Sequence, residues 1–250
     1  MLTGLVSVTF RKLQPDVIVR LVKEAGLDGI EWGGDIHCPP DDLDSAYSIA
    51  RLMNENNLST ISYGSYYRAG GAKGGHSFDN ILKTAVILKT NNIRIWAGDV
   101  SSIDASADTW NSVVEDTQRI ADIASAHGIS ISYEYHGGTL TDNLLSTISL
   151  LQDADKDNVF TYWQPPDGLS VNDNLNALRQ LVEMNKLKNL HVFAWKDTER
   201  LPLGDYANVW SEYIRSVEPA NPALLLEFVK DDDPGQFIED AKVLKTIVKG

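Results

Sequence analysis

Residues 128–138 read Gly-Ile-Ser-Ile-Ser-Tyr-Glu-Tyr-His-Gly-Gly. Apolar and polar side chains alternate through this run, which is the two-residue period of a strand with one buried face. The run ends on a carboxylate, Glu134, and a histidine, His136, and two glycines then turn the chain. Helix-like segments lie on either side, Ala107–His127 closed by Gly128 before it and Asp142–Asp153 after it. A strand that finishes in polar or aromatic residues and hands over to a helix is one unit, and the chain repeats that unit eight times.

The remaining units can be read outward from this one. Leu5–Phe10 is strand-like, and Pro15–Ala25 is helix-like and closes at Gly26. Gly29–Trp32, Thr60–Tyr63 and Ile93–Trp96 supply strands two to four, with helices over Asp42–Asn56 and Phe78–Thr90 between them. After strand five, Ser130–Tyr135, come Val159–Trp163, Leu190–Trp195 and Ala223–Val229. Their helices fall near Asn172–Met184, Asp205–Ser216 and Gly235–Val248. Alternating strands and helices build either an open doubly wound sheet or a closed barrel. Eight units in 250 residues match the barrel. No G-x-G-x-x-G follows the first strand, and no phosphate-cradling G-x-x-x-x-G-K-[ST] occurs. The pattern therefore predicts an α/β fold, a (β/α)8 TIM barrel forming a single domain over residues 1–250. The glycine cluster Gly70–Gly75 is too short for a domain linker and reads as a mobile loop after strand three.

Composition narrows the function. With 43% hydrophobic and 23% charged residues the chain is an ordinary globular one. A net charge of -13 argues against a nucleic-acid partner, which needs clustered Lys and Arg. It leaves room for a small anionic substrate, because a local Arg or Lys overrides global charge. The one cysteine, Cys38, forms no intrachain disulfide and suits a reducing compartment. The start MLTGLVSVTFRK lacks the basic and apolar regions of a signal peptide, and no apolar run has the length of a membrane span. The expectation is a cytoplasmic enzyme or binding protein with no membrane partner. The oligomeric state is left open.

In a parallel barrel all strand C-termini meet on one face, so residues far apart in sequence share a site. Glu134, Gln164, His191 and Glu227 each lie at such an end. Glu227 follows three leucines, and an ionised carboxylate at the end of a buried strand must be paired or metal-bound. A lone strand histidine such as His191 is more often a satisfied core residue; the two glutamates beside it make it a candidate ligand. His136 and His37 are also expected at the mouth. His76 reads as a lid or, more simply, a solvated residue, and His127 as a charge at the end of a helix. Trp32, Trp96, Trp163 and Trp195 all close strands, which suggests an aromatic wall for a sugar ring. Trp110 and Trp210 lie in helices. Arg68 is a candidate for a phosphate or carboxylate, with Lys196 and Arg200 as rivals.

Three stretches carry a resemblance: Gly-Leu-Asp-Gly-Ile-Glu-Trp-Gly-Gly-Asp-Ile-His at 26–37, Tyr-Glu-Tyr-His-Gly-Gly-Thr-Leu-Thr-Asp at 133–142, and Leu-His-Val-Phe-Ala-Trp at 190–195. Together they resemble the xylose-isomerase-like TIM-barrel superfamily of sugar phosphate isomerases and epimerases, which includes ketose 3-epimerases and is related to endonuclease IV. The resemblance implies a divalent metal, Mn²⁺ or Mg²⁺ with Zn²⁺ or Co²⁺ as alternatives, held by Glu134, His191, Glu227 and the residue at position 164. There the chain departs: the family's Asp is Gln164, its following His is Asp167, and its second carboxylate after strand five is Leu140. An amide oxygen coordinates a hard cation but brings no charge, so metal binding is expected to weaken. The family's Arg after strand seven has no clear counterpart; Arg200 is nearest. Glu134 and Glu227 are then implied as base and acid for proton transfer next to a carbonyl, in an isomerisation, an epimerisation or a related dehydration. Trp32, His37, Arg68, Trp96, His136, Trp163, Asp167 and Trp195 are the expected contacts to a sugar, sugar phosphate or keto-polyol. Two other readings stay open, a non-catalytic carbohydrate-binding barrel and an endonuclease IV-like phosphodiesterase. The second needs three metals and more ligands than five histidines and an acidic chain supply.

Overall fold

Side-chain caps set the helix starts. Asp42, Ser77, Ser106, Asn143, Ser170 and Asp233 each accept a backbone N–H from the first turn of the helix that follows. Those helices are α2 (Leu43–Glu55), α3 (Phe78–Leu88), α4 (Ala107–Ser125), α5 (Leu144–Ala154), α6 (Val171–Glu183) and α8 (Pro234–Lys249). Helix α1 (Pro15–Ala25) begins instead on Pro15 and closes on Gly26 at φ 65°, and α7 spans Ala207–Val217. The computed structural model describes residues 1–71 and 76–250. Of the loop expected at Gly70–Gly75, residues 72–75 lie outside the described residues. Gly70 and Gly71 are described, and both take the left-handed backbone that favours glycine.

The strands are β1 (Thr3–Val6), β2 (Gly29–Gly33), β3 (Ser59–Arg68), β4 (Asn92–Trp96), β5 (Ser130–Tyr133), β6 (Val159–Trp163), β7 (Leu187–Val192) and β10 (Ala223–Leu226). They close in the order β1-β10-β7-β6-β5-β4-β3-β2, each pair parallel. A short antiparallel hairpin, β8 (Trp195–Lys196) and β9 (Glu199–Arg200), stands on the loop after β7. This is the (β/α)8 TIM barrel the repeat implies.

Several strand limits differ from expectation, strand five ending at Tyr133 and the last strand at Leu226 among them. The first strand stops at Val6, and Ser7–Phe10 coils into a 3-10 turn. Ser7 Oγ accepts the Gly33 N–H at 2.9 Å and meets His37 Nδ1 at 3.0 Å, which ties the turn to the loop after β2. The third strand runs on to Arg68. The seventh begins at Leu187 and ends at Val192, so Trp195 belongs to the hairpin.

Strand alternation sorts the side chains into two cores. Ile30, Trp32, Ile93, Tyr133, Trp163 and Leu224 face outward into the layer under the helices. Val6, Ile61, Tyr162 and Leu225 belong to a second, smaller cluster inside the barrel. Such interiors are ordinarily filled with branched aliphatic residues. Here Glu31, Asn92, Arg94, Asn189 and His191 are also buried on the inward parity. No helix among the described residues is long and apolar enough to cross a membrane.

Candidate active site

Glu134 and Glu227 are the first residues past β5 and β10, Gln164 is the first past β6, and His191 is the penultimate residue of β7. The barrel brings all four together. One ligand atom each from Glu134, His191 and Glu227 lies within 4.8 Å of the others. His191 Nδ1 is 3.2 Å from Glu227 Oε2, 3.6 Å from Glu134 Oε1 and 3.1 Å from Gln164 Oε1. Glu134, His191 and Glu227 are each at most 5% exposed.

Beneath them lies a charged pair absent from the expected site. Arg94 donates from Nε to Glu31 Oε1 at 2.7 Å and from Nη1 to Glu134 Oε2. Glu31 Oε2 accepts from the Tyr162 hydroxyl at 2.7 Å, and that hydroxyl accepts in turn from Asn92 (3.0 Å) and Asn189 (2.6 Å). Burial by itself would raise the Glu31 carboxyl; the Arg94 guanidinium, His191 and the Tyr162 hydroxyl together outweigh it and hold Glu31 at about 2. Burial would likewise lower His191, but the Glu227 and Glu31 carboxylates together outweigh it and hold the imidazole up at about 10.

The residues fit a divalent cation on two counts. Glu227 Oε2 is buried and accepts no well-formed hydrogen bond, its near polar group being His191 Nδ1 at 3.2 Å, an arrangement that costs stability unless a cation fills the point both face. Glu31, Glu134 and Glu227 against Arg94 leave two negative charges when His191 is neutral, which one divalent ion balances. Carboxylate and amide oxygens with one imidazole suit Mn²⁺ or Mg²⁺.

Above the cluster opens a cavity of about 280 Å³ lined by Glu134, Gln164, Glu227, Trp96 and His136, with Arg11, Arg200, Tyr66 and Phe228 at its sides. The Trp96 indole N–H donates to Glu134 Oε2, and His136 stacks on the indole with centroids 4.7 Å apart and planes 22° from parallel. Arg68 is not among the lining residues. Its guanidinium carbon sits 4.0 Å over the Trp96 ring, behind the wall. Trp32 and Trp163 are fully buried and point outward, Trp32 against the edge of His37 and Trp163 against Trp210 and Tyr213. His37 is buried against Ser7. Asp167, Trp195 and Lys196 line a separate cavity of about 300 Å³ between the β6–α6 loop and the hairpin. Arg200 reaches the mouth paired to Asp232 at 2.5 Å. His76 pairs with Asp41 on the surface, and Leu140 is buried. Burial pushes the Cys38 thiol up to about 12 and leaves it unreactive.

Glu31, Arg94, Tyr162 and Arg11 escaped the reading of strand ends. The signal for the first three is parity. Counting back two residues from Trp96 reaches Arg94, a charge between two isoleucines, and Glu31 sits likewise between Ile30 and Trp32.

The xylose isomerase-like TIM barrel family matches residues 19–247. The chain belongs to that family. A 3-dehydroshikimate dehydratase of Bacillus anthracis is 29% identical to this xylose isomerase-like barrel, over 91% of this chain and 90% of that one. The structure of a probable 3-DHS dehydratase involved in petrobactin synthesis, also from Bacillus anthracis, superposes with a TM-score of 0.80 at 20% identity, covering 98% and 99% of the two chains. A D-psicose 3-epimerase from Clostridium cellulolyticum H10, solved with D-tagatose, superposes with a TM-score of 0.73 at 14% identity, covering 100% and 99%.

Proposed function

We propose that this barrel is a cytoplasmic, metal-dependent isomerase or epimerase of a sugar, sugar phosphate or keto-polyol, moving a proton next to a carbonyl with Glu134 and Glu227. One observation carries the reading. Two buried carboxylates flank His191 at the floor of a cavity walled by Trp96 and His136. Glu134, His191 and Glu227 would hold the ion, with the Gln164 amide oxygen as a neutral fourth group. When bound, the ion polarises the substrate carbonyl and stabilises the negative charge that develops on its oxygen. Glu134 Oε2 already receives Arg94 and Trp96, which fixes its orientation. Glu227 Oε2 accepts no well-formed hydrogen bond, with only His191 Nδ1 near it at 3.2 Å, and is the freer of the two to take a proton. His136 Nδ1 lies 2.6 Å from the Gly137 carbonyl, which assigns a proton to that nitrogen. Arg11 and Arg200 at the rim suit a phosphate or carboxylate.

Turnover in deuterated water with added Mn²⁺ tests this across ketoses, their phosphates, keto-inositols and 3-dehydroshikimate. NMR is expected to show hydrogen exchange at the carbon next to the carbonyl in one of them, and Glu227→Gln should cut the rate by roughly a hundredfold. Binding of one of these compounds with no exchange in any would replace the enzyme reading by a carbohydrate-binding barrel.

A second reading, a dehydratase, is favoured by the Bacillus anthracis relative at 29% identity. Loss of water next to a carbonyl begins with the same proton abstraction; hydroxide then leaves the neighbouring carbon and a C=C bond forms. In the same spectra new vinyl signals, or aromatic ones where the substrate is 3-dehydroshikimate, would mark this outcome, whereas exchange without them marks the epimerase.

A further inference from the structure

We infer that Glu31 is the positioning residue of the metal site, acting through Arg94 and His191 rather than touching the ion or the substrate. The inference rests on the metal reading above and goes beyond it.

Glu31 meets three groups. Its Oε1 accepts from Arg94 Nε at 2.7 Å and faces His191 Nε2 at 3.6 Å, while its Oε2 accepts from Tyr162. Arg94 passes the contact on to Glu134 Oε2, leaving Oε1 turned toward His191 Nδ1. With a carboxylate on the Nε2 side of the ring, Nδ1 is the nitrogen left facing Glu134, Gln164 and Glu227. One fully buried carboxylate thus braces Glu134 through Arg94 and sets its charge, at 3.6 Å and without a hydrogen bond, on the far side of the His191 ring.

Two features show that the pair is built in. Tyr162 is held by Asn92 and Asn189, so Glu31 stands on a hydrogen-bonded column that fills the barrel axis. On β3, Gly64 makes room: a Cβ there would lie 2.6 Å from Arg94 Nη2 and 3.1 Å from Glu31 Oε1. Burying this ion pair in place of aliphatic side chains costs desolvation without a matching gain in stability. Glu31 also cancels the Arg94 charge, so that Glu134 and Glu227 both act on the cation.

Calorimetric titration of Mn²⁺ with Mn²⁺ EPR tests the inference without any substrate. Glu31→Gln should weaken Mn²⁺ about tenfold or more and change the EPR pattern of the bound ion, as loss of a partner behind a ligand does. Tyr162→Phe and Gly64→Ala alter no charge, yet each should weaken Mn²⁺ by about threefold or more, because each shifts the same carboxylate. Leu244→Ala, in the buried face of α8, destabilises the barrel away from the site and should leave affinity and spectrum unchanged. Wild-type affinity and spectrum in all three site variants would overturn the inference alone, as would equal losses in Leu244→Ala. A wild-type protein that binds no Mn²⁺ would overturn the metal reading and the inference together.

Discussion

The Arg68 guanidinium carbon lies 4.0 Å above the Trp96 ring, and the same side chain donates to the Gly98 carbonyl at 3.1 Å. His136 stacks on that indole too. A cation expected from the sequence to meet an anionic ligand instead braces the wall that the ligand would touch.

Removal of this brace should cost stability rather than anion binding. Arg68→Ala is expected to lower the free energy of unfolding in urea by about 1 kcal/mol, the worth of a half-buried cation–π contact. Inorganic phosphate, titrated by NMR with Arg11 and Arg200 intact, should bind the variant as it binds the wild type. Weaker phosphate binding would return Arg68 to the role of anion ligand.

The tryptophans divide by parity, and their variants should divide the same way. Trp32 is fully buried between strand and helix, so Trp32→Ala should cost about 3–5 kcal/mol through the cavity it leaves. Trp96 faces the cavity and donates to Glu134. Trp96→Ala should leave a folded protein with a smaller stability loss and weakened substrate binding, seen as a raised KM once a substrate is found. Equal stability losses in the two variants would contradict the assignment of faces.

The barrel was legible because each unit carries its own local signals, and these point the same way. Alternation in 129–135, the Pro15 start and the Gly26 and Gly128 stops are set within a few residues, and the helices they delimit are observed. Glu134, Gln164, His191 and Glu227 were legible because closure of the barrel puts every strand end on one rim. Facing was harder. Trp32 and Trp96 both close strands in sequence, but β2 presents Glu31 to the axis and β4 presents Arg94 and Trp96. A bulge between Ile30 and Glu31 and the Ser7–Phe10 turn depend on partners from other strands, which no local pattern encodes.

Asp240 on α8 gives a pH test away from the site. Its Oδ1 accepts from Leu203 N at 2.9 Å and from Gln236 Nε2 at 2.8 Å, but burial outweighs these and holds the carboxyl above its ordinary value. The native state therefore keeps a proton that the unfolded chain has already released. Stability must fall as pH rises through the window that opens at about 3.9, the unfolded value, and closes at the raised native one. Asp240→Asn keeps the acceptor oxygen and removes the charge. Its thermal midpoint relative to wild type should be higher near neutral pH than at about pH 3.5. A difference that does not change with pH would show that the native carboxyl titrates as it does in the unfolded chain.

Gln164 is neutral where the resemblance implied an Asp, and the position can be tested by placing a charge there. Its Oε1 lies 3.1 Å from His191 Nδ1 and it lines the cavity, so position 164 faces the same point as Glu134 and Glu227. A neutral amide oxygen coordinates a hard cation through its dipole alone, whereas a carboxylate adds a full charge in a site shielded from water. Gln164→Asp should therefore tighten Mn²⁺ by about tenfold or more, equivalent to about 1.4 kcal/mol, in calorimetric titration. Aspartate is one methylene shorter, so Gln164→Glu, which keeps the reach, separates charge from distance. Tightening in either variant supports position 164 as the fourth group. If neither binds Mn²⁺ more tightly than the wild type, the amide does not face the ion, and Glu134, His191 and Glu227 hold it without help from β6.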